Sequence, residues 1–329
     1  MTRVLSGIQP TGDIHLGNYL GAVRHWAAEQ HEYDSFICVV DLHALTVPRD
    51  PAELRAKTLE LATLLLAAGI DPDVSTLFLQ SHVHEHTELA WLLECTASMG
   101  ELRRMTQFKD KMGKGGEGEA RVGLFTYPVL QAADILLYDA DRVPVGEDQR
   151  QHLELCRDVA QRFNTRYGEV FTVPEAAIPK VGGRVMDLQE PTRKMSKSAD
   201  SPQGTILVLE EPASIEKKVK RAVTDTETEV RYDPEKKPGV SNLVELLAIA
   251  TGRSPAEVAE GYTQYGPLKA DAAAAVVEFL RPVRERYAEL AADPEGVQAV
   301  LDKGAAKAQA IAAATLARAK AAVGLLPRR

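Results

Sequence analysis

The sequence predicts an α/β protein: a Rossmann-like parallel sheet that binds a nucleotide, followed by a mostly helical carboxyl-terminal domain. Three observations carry this. Short apolar runs alternate three times with amphipathic segments up to Ser98, the pattern of parallel strands joined by crossover helices. A glycine turn, Gly7-Ile8-Gln9-Pro10-Thr11-Gly12-Asp13, follows the first run and leads into the first helical segment. That is where such folds bind phosphate. From Leu243 onward the chain is alanine-rich and helical in period.

The whole chain sets bounds. Its 329 residues, 45% hydrophobic and 26% charged, suit two globular domains. No apolar run approaches the ~20 residues of a membrane span. Met1-Thr2-Arg3-Val4-Leu5 enters a strand-like segment with no secretory pattern, so a cytoplasmic location without membrane contact is expected. Cys38, Cys95 and Cys156 lack metal-ligand spacing and are odd in number, so all three are expected as buried small hydrophobes. A net charge of -8 argues against indiscriminate nucleic-acid binding but leaves room for a local basic face.

The elements follow in order. Arg3 to Ile8 reads as a strand, Leu16 to Glu29 as a helix, and Ser35 to Val40 as a buried parallel strand with Asp41 and His43 beyond its end. Asp50 caps the next helix, Pro51 opens it, Glu53 suggests a capping box, and Gly69 stops it. Thr76 to Gln80 is a third strand and Glu85 to Ser98 a third helix. Tyr127 to Leu137 is an apolar helix whose single acid is Asp134. Arg142 to Val145 is a strand, and Gly146 opens a helix to about Phe163. Ile215 to Thr224 is basic and helical, and a last helix runs from about Gly304 to Val323.

Two distant stretches carry the chemistry. In the first, His15-Leu16-Gly17-Asn18 begins a helix directly after the glycine turn. Glycine lets the backbone approach a base or phosphate, and a helix amino terminus supplies free N–H groups. Imidazole and carboxamide add hydrogen-bonding groups for phosphate oxygens. In the second, Lys194-Met195-Ser196-Lys197-Ser198 packs two cations and two hydroxyls into a loop between Pro191 and Pro202. Either alone is weak: a histidine at a helix start is commonly a cap, and a Lys/Ser run a solvated turn. Together they describe a grip on a nucleoside triphosphate.

This pair resembles the two signatures of class I aminoacyl-tRNA synthetases. Met-Thr-Gln-Phe-Lys-Asp-Lys at 105–111, Ala-Ala-Asp-Ile-Leu at 132–136 and Val-Pro-Val-Gly-Glu-Asp-Gln at 143–149 resemble the bacterial tryptophanyl branch of that family. The resemblance spans essentially the whole chain. It implies activation of L-tryptophan by ATP with Mg²⁺, release of pyrophosphate, and transfer of the acyl group to the terminal adenosine of tRNA(Trp). It also implies a homodimer, with its interface around the helices from Glu85 to Leu137.

The resemblance assigns residues too. Lys111, Lys194 and Lys197 would stabilise the departing pyrophosphate. Gln9, Pro10, Thr11, His15, Gly17 and Asn18 would hold the nucleotide, with Met195, Ser196 and Ser198 of the pentapeptide. Gly146, Glu147 and Asp148 would hold the ribose and adenine side, and Val185 would give backbone contacts to adenine. Asp134 would accept the indole N–H, with Gly7, His43, Tyr127, Gln131 and Gln149 around it. The chemistry agrees: a carboxylate is already nucleophilic, so catalysis rests on placed cations and N–H donors and needs no Ser/His/Asp relay. No structural metal is expected. Three positions depart from the family pattern: Asn18 replaces a second histidine, Gln131 a frequent methionine, and Leu5 an aromatic; the last two bear on pocket shape.

The domains implied are 1–190, catalytic, and 191–329, carrying the lysine loop and a helical tRNA-binding part whose last helix packs back on the first domain. Rival readings are a tyrosyl enzyme of the same family, a small nucleotidyltransferase, and a non-catalytic sensor of tryptophan or tRNA. The downstream pentapeptide and helical tail count against the second, and the intact lysine set against the third.

Overall fold

The structure, a computed structural model, describes residues 1–106, 121–177, 185–196 and 201–327. Five strands form one parallel sheet: β1 (Arg3–Ile8), β2 (Asp34–Val39), β3 (Thr76–Leu79), β4 (Arg142–Pro144) and β5 (Glu175–Ala177), in the order β3-β2-β1-β4-β5. The chain builds outward from β1 to β3, then returns to pair β4 on the free side of β1. Strand order therefore reverses between β1 and β4, and the crevice beyond their carboxyl ends is the natural ligand position in such a sheet.

Among the described residues the helices are α1 (Leu16–Asn18), α2 (Arg24–Glu29), α3 (Asp41–Ala44), α4 (Pro51–Ala67), α5 (Glu85–Glu94), α6 (Met99–Arg103) and α7 (Val122–Leu136). They continue with α8 (Arg150–Tyr167), α9 (Pro212–Lys220), α10 (Pro238–Thr251), α11 (Pro255–Glu260), α12 (Tyr265–Ala291) and α13 (Pro294–Ala322). A π-helical turn, Tyr19–Val23, joins α1 to α2, so the first helix is continuous but locally widened.

Alternation along the strands divides the core. Phe36 and Cys38 face one layer, with α5, α7 and α8; Ile37 and Val39 face the other, with α4, α10 and α12. The second layer runs without a break from the sheet into the carboxyl-terminal helices. α13 crosses the β3 edge and serves both: Val297 and Leu301 pack in one layer, Ala308 and Leu316 in the other.

Several boundaries differ from the sequence expectation. The third helix ends at Glu94 because Ser98 caps α6: its hydroxyl accepts from the Glu101 N–H, and the Glu101 carboxylate accepts from the Ser98 N–H at 2.8 Å. At α4 the cap is one-sided. Asp50 accepts from the Ala52 and Glu53 N–H groups, while Glu53 does not return the bond. The last helix begins at Pro294, well before Gly304, because Gly304 is a packing glycine and no start signal: a Cβ there would lie 1.8 Å from the Leu77 carbonyl oxygen. α7 starts at Val122 and carries Pro128 within it. β5 gave no alternating signal, and only Ala177 of its three residues is partly covered. Cys95 is exposed, contrary to expectation, because it follows α5 on its outer side; Cys38 and Cys156 are buried.

Candidate active site

β1 delivers the chain into the turn at Ile8, and Gly12 there adopts φ 66°, a backbone state that side chains disfavour. His15 then caps α1. Its extended backbone lets Nδ1 accept from the Asn18 N–H at 3.2 Å. An imidazole that accepts at Nδ1 carries its proton on Nε2, so the ring keeps a donor. The ring lies over Gly17, where a Cβ would stand 3.1 Å from two ring atoms. The Asn18 carboxamide oxygen is buried without a hydrogen-bond partner among the described residues. Gln9 is exposed at the mouth of this turn, Pro10 is buried and Thr11 is half-buried.

The lysine pentapeptide reaches the same place. Val185 to Met195 fold back as a hairpin, in which Met186 bridges Lys194, the Asp187 N–H donates to the Arg193 carbonyl at 2.9 Å, and the Met195 N–H to the Val185 carbonyl at 3.2 Å. Met195 is buried, its Cβ within 3.8 Å of the position a Gly17 Cβ would take. The following strand-like segment pairs directly with the early turn: the Leu16 N–H donates to the Ile206 carbonyl at 2.8 Å and the Val208 N–H to the Ile14 carbonyl at 2.9 Å. Lys194 is exposed, and Ser196 lines a cavity of about 250 Å³ with Gly12, Asp13, His15, Thr205 and Lys218. Two segments remote in sequence thus share one cleft.

Three residues that sequence reasoning missed build this cleft. Asn242 of α10 clamps the hairpin with both halves of its amide: Oδ1 accepts from the Met186 N–H at 2.9 Å and Nδ2 donates to the Met186 carbonyl at 3.0 Å. Asp187 accepts from the Gln189 and Glu190 N–H groups, and Gly204 is required beside it, since a Cβ there would fall 2.1 Å from its carboxylate. Lys218, within the stretch read as a basic helix, is buried, donates to the Thr205 carbonyl at 2.8 Å and pairs with Glu210 at 2.7 Å. A lone Asn after a proline-glycine pair carried no periodic signal that could have found the clamp.

The second half of the crevice centres on Asp134. It is buried on α7, and three donors surround it: His43 Nε2 reaches Oδ2 at 2.7 Å, while Gln80 Nε2 and His86 Nδ1 reach Oδ1 at 2.7 and 2.6 Å. Burial alone would raise its pKa, but the two imidazoles outweigh that and hold it well below the usual carboxylate range. Tyr127 lies edge-on to His43, with ring centroids 6.2 Å apart, and its hydroxyl meets His152 Nε2 at 2.8 Å. Burial pushes the Tyr127 phenol up to about 12. Gln131, one turn before Asp134, meets Gln149 at 3.5 Å, and Gln149 donates to Asp148 at 2.7 Å. Asp148 folds over Gly146, where a Cβ would clash with its carboxylate at 2.7 Å. Gly7 is held close by Val40, whose Cγ1 would lie 3.3 Å from an added Cβ. Lys111, Lys197, Ser198 and the Glu147 side chain lie outside the described residues.

Comparison with known proteins gives the family. Residues 1–281 match the model of the class I tRNA synthetases for tryptophan and tyrosine. The chain is 58% identical to tryptophan–tRNA ligase 2 of Streptomyces avermitilis, across 99% of this chain and 98% of that protein. It is 54% identical to the tryptophan–tRNA ligase of Caldanaerobacter subterraneus over the full length of both. Among solved structures, tryptophanyl-tRNA synthetase from Mycoplasma pneumoniae superposes with a TM-score of 0.90 at 36% identity, covering 99% of this chain and 98% of that one. The Campylobacter jejuni enzyme, solved with ADP and tryptophan, superposes with a TM-score of 0.87 at 37% identity, covering 98% and 100%.

Proposed function

The chain belongs to the class I tRNA synthetases for tryptophan and tyrosine, and we propose the residue roles by which it works as a tryptophan–tRNA ligase. It is an aminoacyl-tRNA synthetase: ATP and L-tryptophan give tryptophanyl-adenylate and pyrophosphate, and the acyl group passes to the terminal adenosine of tRNA(Trp). The observation that carries the roles is the backbone pairing of the early turn with the Ile206–Val208 segment, which brings Met195 of the lysine hairpin against Gly17 in one cleft.

In this reading the triphosphate enters as its Mg²⁺ complex. Gln9, Pro10, Thr11, Gly17 and Asn18 hold the nucleotide, joined by the Nε2–H of His15. Gly146, Glu147 and Asp148 take the ribose, and the backbone of Val185 and Met195 the adenine. Lys194, Lys111 and Lys197 neutralise charge as the bond to pyrophosphate breaks, and the Ser196 and Ser198 hydroxyls hydrogen-bond the ATP. Such placed cations act where charge develops and need no proton relay. Asp134 accepts the indole N–H, with Gly7, His43, Tyr127, Gln131 and Gln149 shaping the pocket. A buried acceptor left unpaired by phenylalanine is costly, which selects tryptophan without an editing step.

Residues 1–190 act as the catalytic domain and 191–329 carry the lysine loop and the tRNA-binding helices. No described helix is long and apolar enough to cross a membrane, and we place the enzyme in the cytoplasm. It works as a homodimer. An exposed apolar face on α5, α6 and α7, with Trp91 66%, Met99 58% and Val122 77% exposed, supports that assembly. Pyrophosphate exchange into ATP, run with tryptophan, tyrosine and phenylalanine, tests the reading: tryptophan-dependent exchange is expected, and exchange driven by tyrosine instead would overturn it.

A further inference from the structure

Asp134 does not stand alone in its pocket, and the groups behind it have a direction. Gln80 is fully buried, and its Oε1 accepts from the Leu42 N–H at 3.1 Å, which fixes its amide so that Nε2 donates to Asp134 Oδ1. The Tyr138 hydroxyl meets His86 Nε2 at 2.7 Å, and the other ring nitrogen, Nδ1, meets the same Oδ1. A phenol that donates to Nε2 leaves the imidazole proton on Nδ1, aimed at the carboxylate. Gln80, His86 and Tyr138 are each 0% exposed. Phe36 stacks on Tyr138 at 5.2 Å and Phe78 packs against both Tyr138 and His86, so the rings have no room to turn away.

A carboxylate offers about four lone-pair positions. Two donors fill Oδ1, whereas Oδ2 has only His43 among the described residues. We propose that Gln80, His86 and Tyr138 are positioning residues for amino-acid choice: they occupy Oδ1 from behind and so present one remaining lone pair of Oδ2 to a ring N–H. The inference rests on Asp134 being the indole acceptor. It adds that recognition of the N–H depends on residues that never touch the ligand.

The test compares tryptophan with 3-benzothienylalanine, which keeps the shape of the ring pair but has sulfur in place of N–H. Pyrophosphate exchange gives kcat/KM for each on the same preparation, so any unfolded fraction cancels in their ratio. In His86→Asn the shorter amide keeps a donor at the Nδ1 position. In His86→Gln the donor is displaced toward Tyr138. The expected result is a ratio that falls roughly tenfold or more in His86→Gln, through a raised KM for tryptophan with KM for ATP unchanged, and that stays within about threefold of the parent in His86→Asn. Asp134→Asn separates the two levels. If it collapses the ratio while His86→Gln leaves it intact, the positioning role is overturned. If neither moves it, Asp134 is not the acceptor and the inference falls with its premise.

Discussion

Lys194 is exposed on a hairpin whose Met195 packs against the early glycine turn, so its loss should leave the fold intact and, in the proposed role, weaken catalysis. Lys194→Ala is expected to lower kcat for pyrophosphate exchange by at least about tenfold with little change in KM for tryptophan. Unaltered turnover in stopped assays would remove the lysine from the mechanism. A different residue contributes to the loss of stability in acid. Hydrogen bonding from Arg162 holds Glu101 down at about 2 against the opposing effect of burial, with help from Ser98. A carboxylate lowered from 4.5 contributes stability at all pH above that value and loses it as pH falls toward about 2. Glu101→Gln keeps the capping geometry but removes the charge. Thermal melts of the variant should therefore vary less steeply between those two pH values than melts of the parent. Equal slopes would mean that the pair adds nothing.

At the scale of elements, helix and hairpin are joined by a single amide. Asn242 treats Met186 as a strand treats its neighbour, and the opposite arm of that hairpin carries Lys194 and Met195. Asn242→Ala leaves the N–H and C=O of half-buried Met186 without that partner, at a cost of at most about 1–3 kcal/mol each. The hairpin should loosen, so KM for ATP should rise severalfold while KM for tryptophan, whose proposed pocket lies around Asp134, stays put. Equal effects on both constants would argue for general unfolding. Gly304 makes a parallel point for α13 and β3. With a Cβ 1.8 Å from the Leu77 carbonyl, Gly304→Ala should destabilise by at least about 1–3 kcal/mol, read from denaturant midpoints at unchanged slope.

For the whole molecule, the sheet does two jobs with one reversal of strand order. β1 and β4 open the crevice, and the two hydrophobic layers anchor what must close over it. The layer shared by α4, α10 and α12 ties the carboxyl-terminal helices to the nucleotide side, whereas α5 and α7 form the wall behind Asp134. The outer side of that wall is apolar around Trp91, Met99 and Val122. If this face holds the proposed homodimer together, placing charge there, as in Met99→Glu with Val122→Glu, should give a monomer in sedimentation experiments where the parent sediments as a dimer. A variant that still sediments as a dimer would place the interface elsewhere.

The order of most strands and helices and the two stretches that meet in the cleft were legible in the chain, because periodicity, turn residues and charge clusters are local properties. The capping residue His15, the apolar run of β2 and the cation loop needed no partner to be recognised. What depended on distant partners was not legible. Gly304 reads locally as a helix start, and only the Leu77 carbonyl makes it a contact point. Asp134 reads locally as a solitary acid; the resemblance sets His43 near it, but only the folding of β3 and α5 adds Gln80 and His86. Lys218 reads only as one cation of a basic helix until Thr205 and Glu210 enclose it. Local pattern sets the kinds of element and the chemistry at their ends; long-range packing decides which polar groups meet, because burial makes each seek a partner wherever the chain has placed one.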